Sequence, residues 1–193
     1  TVRAVKDLNV TADSAETLLS VTAGFAGGGK AGVGGAVSVG VIANKTEAYV
    51  GRYATVATGG NVVVNAEDDL TSVIVAGSVA GGGNTGVGGS LGVATVVSST
   101  KAYINDNANV SALGNKDAVS VYSGERVKEK EDIKGLSVTA YSTENVVTTG
   151  ISGAGGGTAG VSGSVAVDVI LTNTEAFIGS NVKINENNNS AGA

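Results

Sequence analysis

The sequence predicts an all-β parallel solenoid. Three observations carry this: a Gly- and Val-rich composition with few aromatics, a composite motif that occurs three times, and strict alternation of residue size along its segments. The 193 residues include 31 Gly and 32 Val, against 5 Tyr, 2 Phe and no Trp, Pro, Met, Cys or His. Val is β-branched and favours pleated surfaces, and Gly permits close backbone approach, so strands of small side chains are expected in place of a core of large ones. The absence of Pro suits ladder strands, in which every N–H is needed.

The motif runs AGGGKAGVGGAVSV from Ala26 to Val39, AGGGNTGVGGSLGV from Ala80 to Val93 and AGGGTAGVSGSVAV from Ala154 to Val167. The same two offsets that separate these starts, the second longer than the first, carry TEAYV at 46 into TKAYI at 100 and TEAFI at 174. Eighteen residues ahead of each block lies a matched strand: LNVTA at 8, VVVNA at 62 and LSVTA at 136. The repeats therefore span approximately 8–61, 62–135 and 136–193, within a single solenoid segment over 1–193. The longer second interval holds an insertion at 118–135, AVSVYSGERVKEKEDIKG. Val119 and Val121 alternate as in LSVTA and read as an extra strand of that kind, while Glu125 to Lys134 read as a charged, solvated stretch.

After each glycine block one alternate set reads Val33/Val87/Val161, Gly35/Gly89/Gly163, Val37/Leu91/Val165, Val39/Val93/Val167 and Val41/Thr95/Val169. This aliphatic set is the expected buried face. The opposite set, Gly34/Gly88/Ser162, Ala36/Ser90/Ser164, Ser38/Gly92/Ala166 and Gly40/Ala94/Asp168, suits a tightly approached second layer or a bare solvent face. Coils of about 18 to 27 residues stacked at about 4.8 Å would give roughly seven to eleven rungs, a rod of about 35–50 Å. Gly59-Gly60, Asn105-Asp106-Asn107 and Gly114-Asn115 are expected at corners, because Gly and Asn tolerate positive φ.

Composition also bounds the chemistry. Without His or Cys there is no Ser-His-Asp triad, thiol nucleophile, zinc finger or iron–sulfur ligation, which leaves carboxylate, lysine, hydroxyl and tyrosine chemistry and oxygen-ligated calcium or magnesium. The net charge of -5 and a pI near 4.7 favour solubility and argue against a nucleic-acid partner. With neither an initiator Met nor a run of eighteen apolar residues, the chain is expected to be a piece of a longer protein, and no membrane insertion is expected.

The glycine blocks fit neither a phosphate loop, since Gly29-Lys30 precedes Ala31, nor a calcium roll, which needs a nearby Asp. No cofactor or metal is expected. Carboxylates group at Glu67-Asp68-Asp69 and at Glu129, Glu131 and Asp132, the pattern a polysaccharide-cleaving β-helix would use. The other copies place Asp13-Ser14-Ala15 and Tyr141-Ser142-Thr143 in the first group's columns, so it reads as a solvated turn and no catalytic residues are assigned. Tyr49, Tyr103 and Phe177 share one column and are expected to form a packed ladder; Glu47/Lys101/Glu175 alternate in sign beside it. The candidate contact surface is the charged insertion: Glu125, Arg126, Lys128, Glu129, Lys130, Glu131, Asp132 and Lys134. Asn9, Asn44 and Asn109 open N-x-[ST] sequons, relevant where a glycosylating pathway exists.

The block AGGGxAGVGGxVxV, the following TEAYV-type segment and the LxVTA strands, together covering about Leu8 to Gly179, resemble the repeats of very large secreted bacterial adhesins. The nearest group is the leukotoxin A-type filamentous adhesins, related to filamentous haemagglutinin. The resemblance implies a right-handed parallel β-helix in an extracellular or cell-surface protein, exported through an outer-membrane two-partner (type V) transporter. Its expected partners are that transporter, neighbouring coils of the parent chain and a receptor on host or bacterial cells. A shaft or adhesive segment is the leading expectation and an enzyme is not. A leukotoxin-type cytotoxin module and a β-helix polysaccharide-cleaving enzyme are the alternatives.

Overall fold

In a computed structural model, which describes residues 1–122 and 130–186, the chain is an all-β stack of coils. Its strands are β1 (Val2–Ala4), β2 (Leu8–Gly28), β3 (Ala31–Val50), β4 (Thr55–Thr58), β5 (Val62–Gly82), β6 (Thr85–Ile104), β7 (Asn109–Ala112), β8 (Val119–Tyr122), β9 (Lys130–Ile133), β10 (Leu136–Gly156), β11 (Ala159–Ile178) and β12 (Lys183–Ile184). Three parallel sheets, ordered β10-β5-β2, β11-β6-β3 and β1-β4-β7-β12, form the walls. Pairing is in full register: Leu8 and Leu136 both lie beside Val62, and Val33 and Val161 both lie beside Val87.

Each coil is one whole repeat, because the chain that leaves Leu8 returns beside it only at Val62 and again only at Leu136. The chain makes three such coils, each far longer than the coil of about 18 to 27 residues expected from the sequence. LNVTA opens one unbroken 21-residue strand that alternates with period two from Leu8 to Gly28, and the glycine block turns the chain at Gly29-Lys30 before β3. At about 3.3 Å per residue these strands are close to 70 Å long, while three rungs stack to only about 10–15 Å. The coil is thus wide and flat. Two long strands run out to a two-residue tip and back, and a four-residue strand closes the base.

The faces are the reverse of the expected ones along most of this width. The aliphatic set points outward, with Val33 74% and Val41 69% exposed, and the small set points inward, with Ala36, Ser38 and Ala94 buried. Near the tip the two long sheets sit so close that a Cβ on Gly24, Gly28 or Gly32 would overlap the carbonyl oxygen of Gly35, Ala31 or Gly81. From the level of Gly24 and Ala36 to the tip every inward residue is glycine, alanine or serine, and one step towards the base Ser20 and Ser38 hydrogen-bond between the sheets at 2.8 Å. Inward residues grow towards the base, through Ile74 and Val96, to a three-walled core around Val62, Val64, Ile104, Val56 and Val110.

Corners are held by polar side chains that reach from coil to coil. Asp106 accepts from Arg52 of the first coil at 2.7 Å and from the Ser180 N–H of the third at 2.9 Å. Tyr53, Asn107 and Asn181 occupy equivalent positions there, each with φ between 55° and 58°. Asn61, fully buried, donates to Asp7 Oδ1 and to the Asp117 carbonyl and accepts from the Gly135 N–H. Gly59-Gly60 and Gly114-Asn115 bond to one another at this second corner.

The insertion does not add a rung. β8 pairs antiparallel with β9, with Val119 beside Ile133, so Val119 and Val121 form a local hairpin rather than a further LSVTA-type strand of the parallel ladder. Val62 N–H bonds to the Gly135 carbonyl at 2.8 Å, which returns the chain to the repeat register just after the hairpin.

Replacing inward Gly86 by Ala is expected to lower stability by about 1–3 kcal/mol through overpacking. Outward Gly81→Ala, whose Cβ meets nothing within 4 Å, is expected to change it by less than about 0.5 kcal/mol. Thermal melts of the two variants beside the unmodified chain check this.

Candidate contact site

The sequence turns outward at odd positions of β2 and β5, which places Asn9, Thr11, Val63, Asn65 and Glu67 on the outer surface at the base of the β10-β5-β2 sheet. The β8–β9 hairpin folds over this surface. Outward Val63 and Ser137 are 9% exposed, and Val121 of the hairpin is 6% exposed. Between hairpin and sheet lies a cleft of about 230 Å³ lined by Asn9, Thr11, Asn65, Glu67, Thr139, Ser120 and Lys130 together with Val63, Val119 and Val121. Thr139 Oγ1 donates to Asn65 Oδ1 at 2.8 Å, and Ser120 Oγ donates to Asp132 Oδ1 at 2.5 Å across the hairpin. Half of the lining is amide and hydroxyl, groups that both donate and accept, as recognition of a hydroxyl-rich ligand requires.

Of the candidate contact residues, Lys130, Glu131 and Asp132 lie on β9, exposed, with Lys134 just after it. Glu125, Arg126, Lys128 and Glu129 lie outside the described residues. Lys130 borders the cleft. The neutral residues Asn9, Thr11, Asn65 and Thr139 were not among the contact residues expected from sequence, where Asn9 was noted only as a sequon, although their shared parity in the LxVTA-type segments puts them on one outer face.

Glu67-Asp68-Asp69 is mid-strand and not the expected solvated turn, because the alternation of β5 continues through it. Glu67 and Asp69 face outward, while Asp68 faces inward and is fully buried, so the three carboxylates do not share a face. Asp68 accepts from Asn44 Nδ2 at 2.5 Å and from Ser98 Oγ at 2.6 Å, and Asn44 also donates to Ser14 at 3.0 Å. This polar step separates the thin interior from the three-walled core. It also takes the Asn44 amide inside the coil, whereas Asn9 stays on the surface. No group of three or more metal-ligating side chains occurs among the described residues.

On the other sheet Tyr49, Tyr103 and Phe177 stack with centroids 5.2 and 5.0 Å apart and planes 10° and 1° from parallel. Their ring faces meet one another along the stacking axis. Lys101 pairs with Glu175 at 2.9 Å, and Lys45 with Glu47 at 2.9 Å. The Lys101 ammonium, then Asn173, hold the Glu175 carboxyl below its ordinary value, and burial followed by Glu47 raises the Tyr103 hydroxyl. Asp106 is held low by the Ser180 N–H first and Arg52 second.

No known protein family, curated protein or solved structure matches this chain.

Asp68→Ala leaves Asn44 and Ser98 without their acceptor inside the coil and is expected to cost about 2–3 kcal/mol, with Asp68→Asn costing less because one oxygen is kept. Denaturant unfolding of both variants measures the difference. A depressed carboxylate contributes stability that is present above the ordinary carboxylate value and is lost as pH falls through its lower folded value. Arg52→Gln is therefore expected to raise the Asp106 midpoint while the Ser180 N–H still keeps it below the ordinary aspartate value, as followed by carboxyl NMR titration.

Proposed function

We propose that the chain is a structural and adhesive segment of a large extracellular filament, in which stacked coils form the shaft and the hairpin cleft makes the contact. The observation that carries this reading is the in-register pairing of three equivalent coils, to which one described insertion, the β8–β9 hairpin beside the cleft, is added. In-register stacking makes each coil a platform for the next, so length is gained by repetition and backbone pairing supplies the stiffness. A corner insertion adds a specific surface without disturbing the ladder. The amide and hydroxyl lining suits the hydroxyls of a surface glycan on a host or bacterial cell, and the acidic chain keeps such a filament soluble. The resemblance to filamentous adhesin repeats points the same way and supplies the expected export route.

Fluorescently labelled protein is expected to bind epithelial or bacterial cells saturably. Replacing residues 118–134 by a Gly-Ser linker should abolish that binding, and Asn65→Ala should weaken it several-fold, while the melting temperature of Asn65→Ala stays close to the parent's. Binding undiminished by the linker variant would place the contact elsewhere, and no binding by the unmodified protein would leave the segment as shaft alone.

A further inference from the structure

The cleft beneath the β8–β9 hairpin is apolar on one side and polar on the other. Val63 of the sheet and Val119 and Val121 of the hairpin line it together, presenting what their mutual packing leaves uncovered. Beside them Thr11, Asn65 and Thr139 form one row across the three coils. Thr139 Oγ1 donates to Asn65 Oδ1 at 2.8 Å, so Nδ2 is the group Asn65 keeps for a ligand, and the Thr11 hydroxyl stands next to it on the adjoining strand. Glu67 and Lys130 bring opposite charges to the same cleft, which therefore favours neither an anionic nor a cationic ligand.

We infer that the sugar this cleft takes from a surface glycan is an N-acetylated hexosamine, an inference that rests on the cleft being the contact site. The acetamido carbonyl accepts from Asn65 Nδ2, the acetamido N–H donates to the Thr11 hydroxyl, and the methyl group lies against Val63 and Val119. Val63 and Asn65 are successive outward residues of one strand, about 6.6 Å apart. An acetamido group bridges such a span with a hydrogen bond at its oxygen and a van der Waals contact at its methyl.

Three observations select this ligand. Among the described residues, no side chain lining the cleft is aromatic. An unsubstituted hexose, whose one broad apolar surface is the C–H face of its ring, lacks there the flat partner on which such a face lies, whereas a methyl group needs only aliphatic neighbours. The cleft's 230 Å³ falls below the about 300–1,000 Å³ of pockets for drug-sized molecules, which suits a single sugar residue. The middle strand of the sheet beneath it, β5, is paired on both sides, so an extended peptide finds no free backbone in which to add a strand.

Saturation-transfer NMR and titration calorimetry of the chain with chitotriose, and with cellotriose as the glucose trisaccharide of the same linkage, test this. Chitotriose is expected to bind about tenfold more tightly, the gain that one buried methyl and one hydrogen bond supply together, and its acetyl methyl protons should take up the most saturation. Val119→Thr, which exchanges a methyl for a hydroxyl at nearly constant shape, should reduce the preference several-fold while the melting temperature stays close to the parent's. Treating epithelial cells and bacteria separately with a hexosaminidase should lower binding on the surface that carries the sugar. Equal affinity for the two trisaccharides overturns the inference and leaves the cleft as a glycan contact. Cells still bound through the hairpin, with neither trisaccharide bound, overturn the inference alone, whereas loss of the cell contact takes the underlying reading with it. Cell binding that survives hexosaminidase and is lost on protease treatment overturns the inference in favour of a protein partner.

Discussion

The separation of two facing sheets governs this molecule, because near the tip it leaves no room for side chains larger than alanine or serine. Where a carbonyl of one sheet occupies the place a Cβ of the other would take, packing can no longer come from bulky residues. The cohesion of the thin region therefore comes from backbone pairing between rungs and close sheet-to-sheet contact, with aliphatic bulk left on the outside. The high glycine content, the outward valines and the long uninterrupted strands are consequences of that one dimension.

Polar groups then decide where the thin region ends. Asp68, Asn44 and Ser98 meet inside the coil at the level where the two sheets begin to diverge around the base core. A buried carboxylate needs its donors in place, so this step penalises any slip of one sheet against the other. A one-residue slip would also send the inward small residues outward and drive valines into a gap that cannot hold them. The corners do the same work along the axis: Asp106 contacts the coil before it and the coil after it, and Asn61 joins Asp7 to Gly135.

The fold class was legible because the repeat is written directly into the chain, and its two offsets are the coil length without and with the hairpin. The coil boundaries were legible in part: each tip falls at the end of a glycine run, at Gly29, Gly83 and Gly157, as turn-forming composition predicts, while the Gly, Ala and Ser on either side continue the strands. The inside–outside assignment was not legible. Aliphatic columns signal a core only when the interior has space, and that space is set by the distance between sheets, which no single strand encodes. Asp68 shows the limit for the candidate site: its charge suggested solvent, and its parity with Ala66 and Val64 was the clue to burial. The cleft depends on how the hairpin folds back, and neither alternation nor composition specifies that direction.

Long coils impose a particular order on assembly. β2 and β5 pair only across a whole coil, and β5 and β10 across a longer one, because the hairpin lies between them. Within one coil β2 and β3 face each other through side chains without a shared ladder, so a single coil is unstable and two form the smallest cooperative unit. The β8–β9 hairpin is different, because its pairing closes locally and needs no neighbouring coil. Local closure at a corner is the kind of insertion this architecture can accept. An extra residue within a long strand would invert every inward position beyond it, whereas extra residues at a corner leave the register to resume at Gly135. Specific contact surfaces in such a stack therefore belong at its corners, where sequence can vary without costing the ladder.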